Sequence, residues 1–324
     1  MPSYFIANTA KPIQTRIVKK NFRKGNLNFK YSTFTHSKAN TVKTTILINC
    51  PDQSGIIRAV TTFIHTKGGN IVYLDQHVDK QAGVFFMRLE CDFEDNSTLI
   101  DVLESEFAST LATPYQMQYE IHLQNVKPKM ALLVSKYNHC LYDLLSRFHS
   151  GELVVEIPFI ISNHIDLEPI AIQFDVPFYH IPVSKTTKET AEARQLELMQ
   201  KYNVDFIVLA RYMQIVTDKI IDHYPNNIIN IHHSFLPAFA GAKPYHAAFE
   251  RGVKIIGATS HYVTAELDAG PIIEQDVATV THAHTIKDLM DKGRDLEKIV
   301  LARAVRLHVQ RKTMVYNNKT VIFS

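Results

Sequence analysis

Asn227-Ile228-Ile229-Asn230-Ile231-His232-His233-Ser234-Phe235-Leu236-Pro237-Ala238-Phe239 is the stretch on which the reading of this 324-residue chain turns. Ile228 to His232 reads as a strand running into a loop. Side chains on a strand alternate between faces, so Asn230 and His232, two apart, point the same way. An amide donor beside an imidazole, at the carboxyl end of a strand, can polarise a carbonyl and move a proton in one place. On an ideal strand His233 faces away from His232.

Upstream, apolar and polar segments alternate: Met130–Val134, His139–Arg147, Leu153–Ser162, Leu167–Phe174, Tyr179–Val183, Thr190–Tyr202 and Asp205–Ala210. Such alternation predicts a mainly parallel, Rossmann-like α/β sheet flanked by helices, with ligands at the carboxyl ends of its strands. Downstream, Gly257–Thr264 is a further strand that leads into Ala265-Glu266-Leu267-Asp268-Ala269-Gly270-Pro271. Asp268 stands just before a Gly-Pro turn, where a loop can swing a carboxylate into a pocket. Each residue also has a plainer reading, Asn230 and His232 as surface hydrogen-bonding groups and Asp268 as a turn residue. Adjacent His232 and His233 raise the question of zinc, but no His-Glu-x-x-His or Cys-x-x-Cys pattern accompanies them, so no metal is expected. His282-Ala283-His284 reads as a solvated approach to a helix.

Ahead of the linker Asn125–Lys129 the order of elements is different. Thr45–Cys50 reads as a strand, broken by Pro51-Asp52-Gln53-Ser54-Gly55. Ile56, Ile57, Val60, Phe63 and Ile64 recur at helical spacing, and Gly68-Gly69 stops that helix. Asn70–Asp79 and Val84–Phe93 form a hairpin, Ser97–Leu111 a second helix, and Tyr115–Leu123 a last strand. This gives βαββαβ, a ferredoxin-like sheet with both helices on one side. The expected organisation is a basic extension over 1–43, a first domain over 44–126 and a second over 130–324.

Composition narrows the class. The chain is 46% hydrophobic and 21% charged, ordinary for a globular protein, and no apolar run approaches the roughly 18–20 residues of a membrane helix. Cys50, Cys91 and Cys140 lack metal-ligand spacing and fit a reducing compartment. Residues 1–43 carry nine Lys or Arg and no acid, which leaves 26 basic against 32 acidic residues in the remainder. A mildly acidic body argues against nucleic acid as a partner. The extension reads either as a loose tail on a cytoplasmic protein, the reading preferred, or as a transit peptide leading to the mitochondrial matrix.

Asp-Gln-Ser-Gly-Ile at the first turn, in this order of elements, resembles the ACT regulatory domain. The resemblance implies that Asp52, Ser54 and Gly55 help hold a small amino acid, glycine or methionine, at a helix N-terminus. Plain helix capping by Asp52 and Ser54, with Gly55 easing the turn, is the competing reading.

The block Asn230–Phe239, with Gly241-Ala242-Lys243-Pro244-Tyr245-His246, His261-Tyr262-Val263 and Leu267-Asp268-x-Gly-Pro-Ile-Ile, resembles the formyltransferase superfamily. That resemblance covers almost all of 130–324 and maps the superfamily's catalytic trio onto Asn230, His232 and Asp268. Three features point to its hydrolase branch, the formyltetrahydrofolate deformylases. An ACT-like domain comes first. No glycine occurs between Met130 and Ser150, where the ribonucleotide transferases place a phosphate-binding loop. Pro244-Tyr245-His246 and Lys287–Asp295 match the deformylase pattern.

The branch implies hydrolysis of 10-formyltetrahydrofolate to tetrahydrofolate and formate, feeding purine synthesis and balancing one-carbon pools. It also implies a homo-oligomer, with the folate as substrate rather than cofactor. The loop carrying Arg211, Tyr212, Met213 and Ile215 would hold the pterin, with His261 nearby, although packing alone accounts for Tyr212 and Met213 as well. His139 and Cys140 would shape the acceptor side, or Cys140 would be a small core residue, the reading preferred. Alternatives are transfer of formyl to an amine acceptor and a folate sensor without catalysis.

Overall fold

A computed structural model describes residues 41–94, 99–238 and 244–324. Residues 1–40 of the basic extension, Ser97 at the expected start of the second helix, and Gly241-Ala242-Lys243 lie outside the described residues.

The first sheet has strand order β2-β3-β1-β4. Its strands are β1 (Thr41–Pro51), β2 (Asn70–Asp79), β3 (Val84–Glu94) and β4 (Gln118–Leu123), every pairing antiparallel. Helix α1 (Ile56–Thr66) follows β1, and α2 (Leu99–Phe107) follows β3. The βαββαβ order is as expected. β1 begins at Thr41, so Thr41, Val42 and Lys43 pair with Glu94, Phe93 and Asp92 and belong to the sheet rather than to the extension. The second helix also continues beyond the expected Leu111. It passes through a π-helical turn, Ala108–Ala112, and a short α3 (Thr113–Tyr115), and Gln116 at φ 53° then closes it. Leu111 and Met117 are buried in the same core as α1, which keeps the chain against the sheet there.

The second sheet has seven strands in the order β11-β10-β9-β8-β5-β6-β7. Met130–Val134 (β5), Ile160–Ser162 (β6), Phe178–His180 (β7), Phe206–Leu209 (β8) and Ile228–His232 (β9) run parallel. Ile255–Tyr262 (β10) is antiparallel to β9, and Ile272–Thr279 (β11) to β10. The helices are α4 (His139–His149), α5 (Glu168–Gln173), α6 (Lys188–Lys201), α7 (Asp218–Ile221), α8 (Pro244–Arg251) and the long α9 (Ile286–Val309). A terminal hairpin, β12 (Thr313–Tyr316) and β13 (Lys319–Ile322), ends the chain.

The strand expected over Leu153–Ser162 is confined to its last three residues. Pro158 cannot donate to a ladder, and Leu153, Val155 and Ile157 are instead buried in an irregular approach bridged at Lys129 and Glu156.

Alternation within the central strands divides the core. Leu132, Val208, Ile229 and Ile231 share one cluster with residues of α4 and α9. Leu133, Ile207, Leu209 and Ile228 join a second, with residues of α6 and α7. Burying each such side chain contributes roughly 1.5–3 kcal/mol. Their parity leaves Asn230 and His232 on the side of Ile228, at the open end of the strand.

Candidate active site

Asn230 lies within β9, and His232 is its last residue. β10 runs antiparallel beside it and sets His261 opposite Asn230. The loop after β10 returns Asp268 to the same place, so that its Oδ2 is 3.2 Å from Nδ1 of His232. Its Oδ1 is 3.6 Å from Nε2 of His261. His261 Nδ1 also lies 2.8 Å from the carbonyl of Tyr262, and its Nε2 3.2 Å from Nδ2 of Asn230, so one imidazole bridges the strand end and the Asp268 loop.

His232 is held differently. Its Nδ1 is paired with the Asp268 carboxylate, while its Nε2 is buried with no hydrogen-bond partner among the described residues. The contacts of Asp268 with His232 and then His261 outweigh burial and hold its carboxyl well below the usual carboxylate range. Asp268 has φ 57° and Arg211 φ 65°, two left-handed residues at the rim of one site. Aspartate tolerates that region better than most side chains. Two residues on, a Cβ at Gly270 would meet the carbonyl oxygen of Tyr262 at 1.9 Å, so this turn admits only glycine.

These groups line a cavity of about 350 Å³ that also takes in Arg211, Tyr212, Met213, Ile215 and His233. Asn230, His232 and Asp268, far apart in sequence, thus meet at the carboxyl end of the sheet, where its strand direction first reverses.

Comparison with known proteins agrees with this architecture. Residues 128–305 match the family model described as Formyl transferase, and residues 44–108 match that of the ACT domain. The chain is 52% identical over 280 residues to the formyltetrahydrofolate deformylase of Synechocystis sp., covering 86% of this chain and 98% of that one. It is 45% identical to the Bacillus subtilis formyltetrahydrofolate deformylase over 86% of this chain and 93% of the relative. The chain belongs to the formyltetrahydrofolate deformylase family. A crystal structure of a formyltetrahydrofolate deformylase from Pseudomonas syringae pv. tomato is similar to it with a TM-score of 0.84. That pair is 43% identical, with 89% of this chain and 96% of that one covered.

Around the trio of this deformylase-family chain, sequence reasoning missed Glu297 and misjudged the direction of His233. His233 shares the cavity with His232, their ring centroids 5.2 Å apart, contrary to the expectation that it faces away. β9 ends at His232, so strand alternation no longer governs the next residue. Arg211 is buried, with Nε 3.3 Å from Oε2 of Glu297 and its guanidinium 5.0 Å above the Tyr137 ring. Glu297 in turn accepts from His139 at 2.7 Å and from the Tyr245 hydroxyl at 2.8 Å. Burial alone would raise the Glu297 carboxyl, but His139, Arg211 and Tyr245 together bring it below its usual range.

His139, Cys140 and Glu297 place ligand atoms within 4.8 Å of one another. The guanidinium already neutralises that carboxylate, and burial pushes the Cys140 thiol well above its ordinary range. This is an internal ion-pair network rather than a set of anionic ligands. Cys140 is a core residue at 1% exposure, as preferred from sequence.

The loop after β8 is also resolved into roles. Tyr212 packs inward and accepts a hydrogen bond from Gln195 at 3.0 Å, and burial raises its phenol to about 12. Met213 and Ile215 are exposed at 50% and 60%, so Met213 is not the packing residue that its type suggests. The Met213 backbone N–H donates to Ser135 Oγ at 3.0 Å and fixes the loop.

Asp52, Ser54 and Gly55 form a separate, exposed turn that does not line this cavity. Gly55 itself is the N-cap of α1 at φ 93°, so the need for glycine at this turn is real.

Proposed function

We propose that this chain hydrolyses 10-formyltetrahydrofolate to tetrahydrofolate and formate, and that Asn230, His232 and Asp268 carry the reaction. The observation that supports it most is the placement of His232, held through Nδ1 by a carboxylate while its buried Nε2 has no hydrogen-bond partner among the described residues. An imidazole so oriented has its lone pair free for a proton, as a general base requires. The held carboxylate stabilises the imidazolium that results.

Water adds to the formyl carbon and loses its proton to Nε2 of His232. The amide of Asn230 donates to the carbonyl oxygen as charge develops there. Collapse breaks the carbon–nitrogen bond, and His232 returns the proton to the departing folate nitrogen. Asp268, kept ionised by its two imidazole neighbours, is a weak base and serves as the anchor of His232. One oxyanion donor is worth about 100- to 1000-fold in rate, and one positioned base about 100- to 10,000-fold. Arg211, Tyr212, Met213, Ile215 and His261 form the folate pocket in this reading, which needs neither metal nor cofactor. The formate released supplies purine synthesis.

The domains behind this reading are 44–126 and 130–324. In the first, the N-cap of α1 is Gly55, which has no side chain to occupy the first backbone N–H groups and so suits the carboxylate of glycine or methionine. Pairing of such domains would give a homo-oligomer. Among the described residues no helix is long and apolar enough to cross a membrane. The test is formate release from 10-formyltetrahydrofolate with no amine acceptor present. Turnover by the wild-type chain and its loss in Asp268→Asn are expected; acceptor-dependent formyl loss would overturn the hydrolytic reading.

A further inference from the structure

The Asp268 loop has few internal hydrogen bonds. Thr264 Oγ1 donates to the Glu266 carbonyl at 3.2 Å, Ala269 N–H reaches the same carbonyl only at 3.4 Å, and Leu267 is 64% exposed. Further support comes from the C-terminal hairpin. At the tip of the β12–β13 hairpin, Asn317 and Asn318 take φ 46° and 57°, the conformation that lets two residues join Tyr316 to Lys319. From that tip Nδ2 of Asn318 donates to the carbonyl of Ala269 at 2.9 Å, one residue from the carboxylate.

The hairpin is itself fastened. Phe323 is buried at 2% exposure against Leu47, Val84 and Phe86, on the face of the first sheet away from α1 and α2, with Met314 and Tyr316 packed beside it. The Phe86 and Tyr316 rings meet edge to face at 5.4 Å. At the last residue, Ser324 N–H donates to Asp75 at 2.9 Å.

We propose that Asn318 is a positioning residue for Asp268, holding the catalytic carboxylate's loop to a hairpin braced on the N-terminal sheet. This rests on the role given to Asp268 above. A side-chain amide suits the task, since the loop presents a carbonyl and a left-handed turn tolerates asparagine. Loosening a reacting constellation by about 1 Å can cost roughly 100-fold in rate. The brace therefore acts on turnover more than on substrate binding.

The test uses the full chain and 10-formyltetrahydrofolate. Asn318→Gly keeps the turn's backbone and removes only the donor. It is expected to lower kcat by roughly ten- to a hundred-fold with KM changed less than about twofold. Asn317→Gly, a matched change at a side chain with no hydrogen bond to the loop among the described residues, should keep wild-type kcat. In the Asp268→Asn background, Asn318→Gly should add less than about a twofold loss, because the two residues act as one unit. Wild-type kcat in Asn318→Gly, an equal loss in Asn317→Gly, or a full additional loss on the Asp268→Asn background would each overturn the proposal. Full activity of Asp268→Asn alone would instead overturn the catalytic reading beneath it.

Discussion

Two imidazole–carboxylate pairs lie close to the same cavity and are built to opposite ends. His232 and Asp268 stand where β9 and the loop after β10 converge, the carboxylate 18% exposed and the imidazole's second nitrogen without a hydrogen-bond partner among the described residues. His139 and Glu297 are joined by a shorter contact of 2.7 Å, but Glu297 is 1% exposed and also takes Arg211 and Tyr245. The first pair keeps one valence open toward a cavity; the second has donors on both carboxylate oxygens. Reactivity follows the open valence and not the strength of the pair, since a saturated group has nothing left to offer a substrate.

Breaking the open pair should have the largest effect. Asp268→Asn is expected to reduce kcat by about a thousand- to ten-thousand-fold, because it disturbs the tautomer and charge that orient His232. Steady-state kinetics, with circular dichroism to confirm folding, would check it. Asn230→Ala should cost about 100- to 1000-fold in kcat with little change in KM, the pattern of a donor used mainly in the transition state. The sealed pair should respond differently. Glu297→Gln leaves the buried Arg211 without a counter-charge and is expected to lower stability by about 3–5 kcal/mol, measured by urea unfolding, while kcat changes less than in either other variant.

The smallest effect is in pH dependence. Asp268 is held below its unfolded value, near 3.9, so its contribution to stability is complete above that pH. It is lost as pH falls through the depressed folded value. Unfolding midpoints of wild type and Asp268→Asn should therefore converge toward the acid end of a titration from pH 7 to pH 2. A constant gap would show that His232 and His261 do not stabilise the charged carboxylate.

Much of this comparison could be read from the chain. Strand parity puts Asn230 and His232 on one face and the Gly-Pro turn marks Asp268 as a loop carboxylate, while the grouping of the three rests on the resemblance to the formyltransferases. His139 and Glu297 could not be joined, because 158 residues separate them and no local pattern links α4 to α9. Helix α9 was legible as the helix that His282-Ala283-His284 approaches, and its length could also be read. Its buried Leu289, Gly293, Leu296, Val300, Ala304 and His308 recur at helical spacing, behind a Thr285–Asp288 capping box. The terminal hairpin is marked only by Asn317-Asn318, and its importance lies in contacts 49 residues back and on another sheet. Local periodicity locates elements well. Which of them close over a site is decided by long-range packing that no window of sequence contains.

The central claim is that water, activated at His232, takes the place of an acceptor amine. Turnover of 10-formyltetrahydrofolate in ¹⁸O-labelled water, with no amine added, measures this directly. The account predicts tetrahydrofolate together with formate carrying at least one ¹⁸O. Formate without the label, or formyl loss only when an amine is supplied, would contradict it.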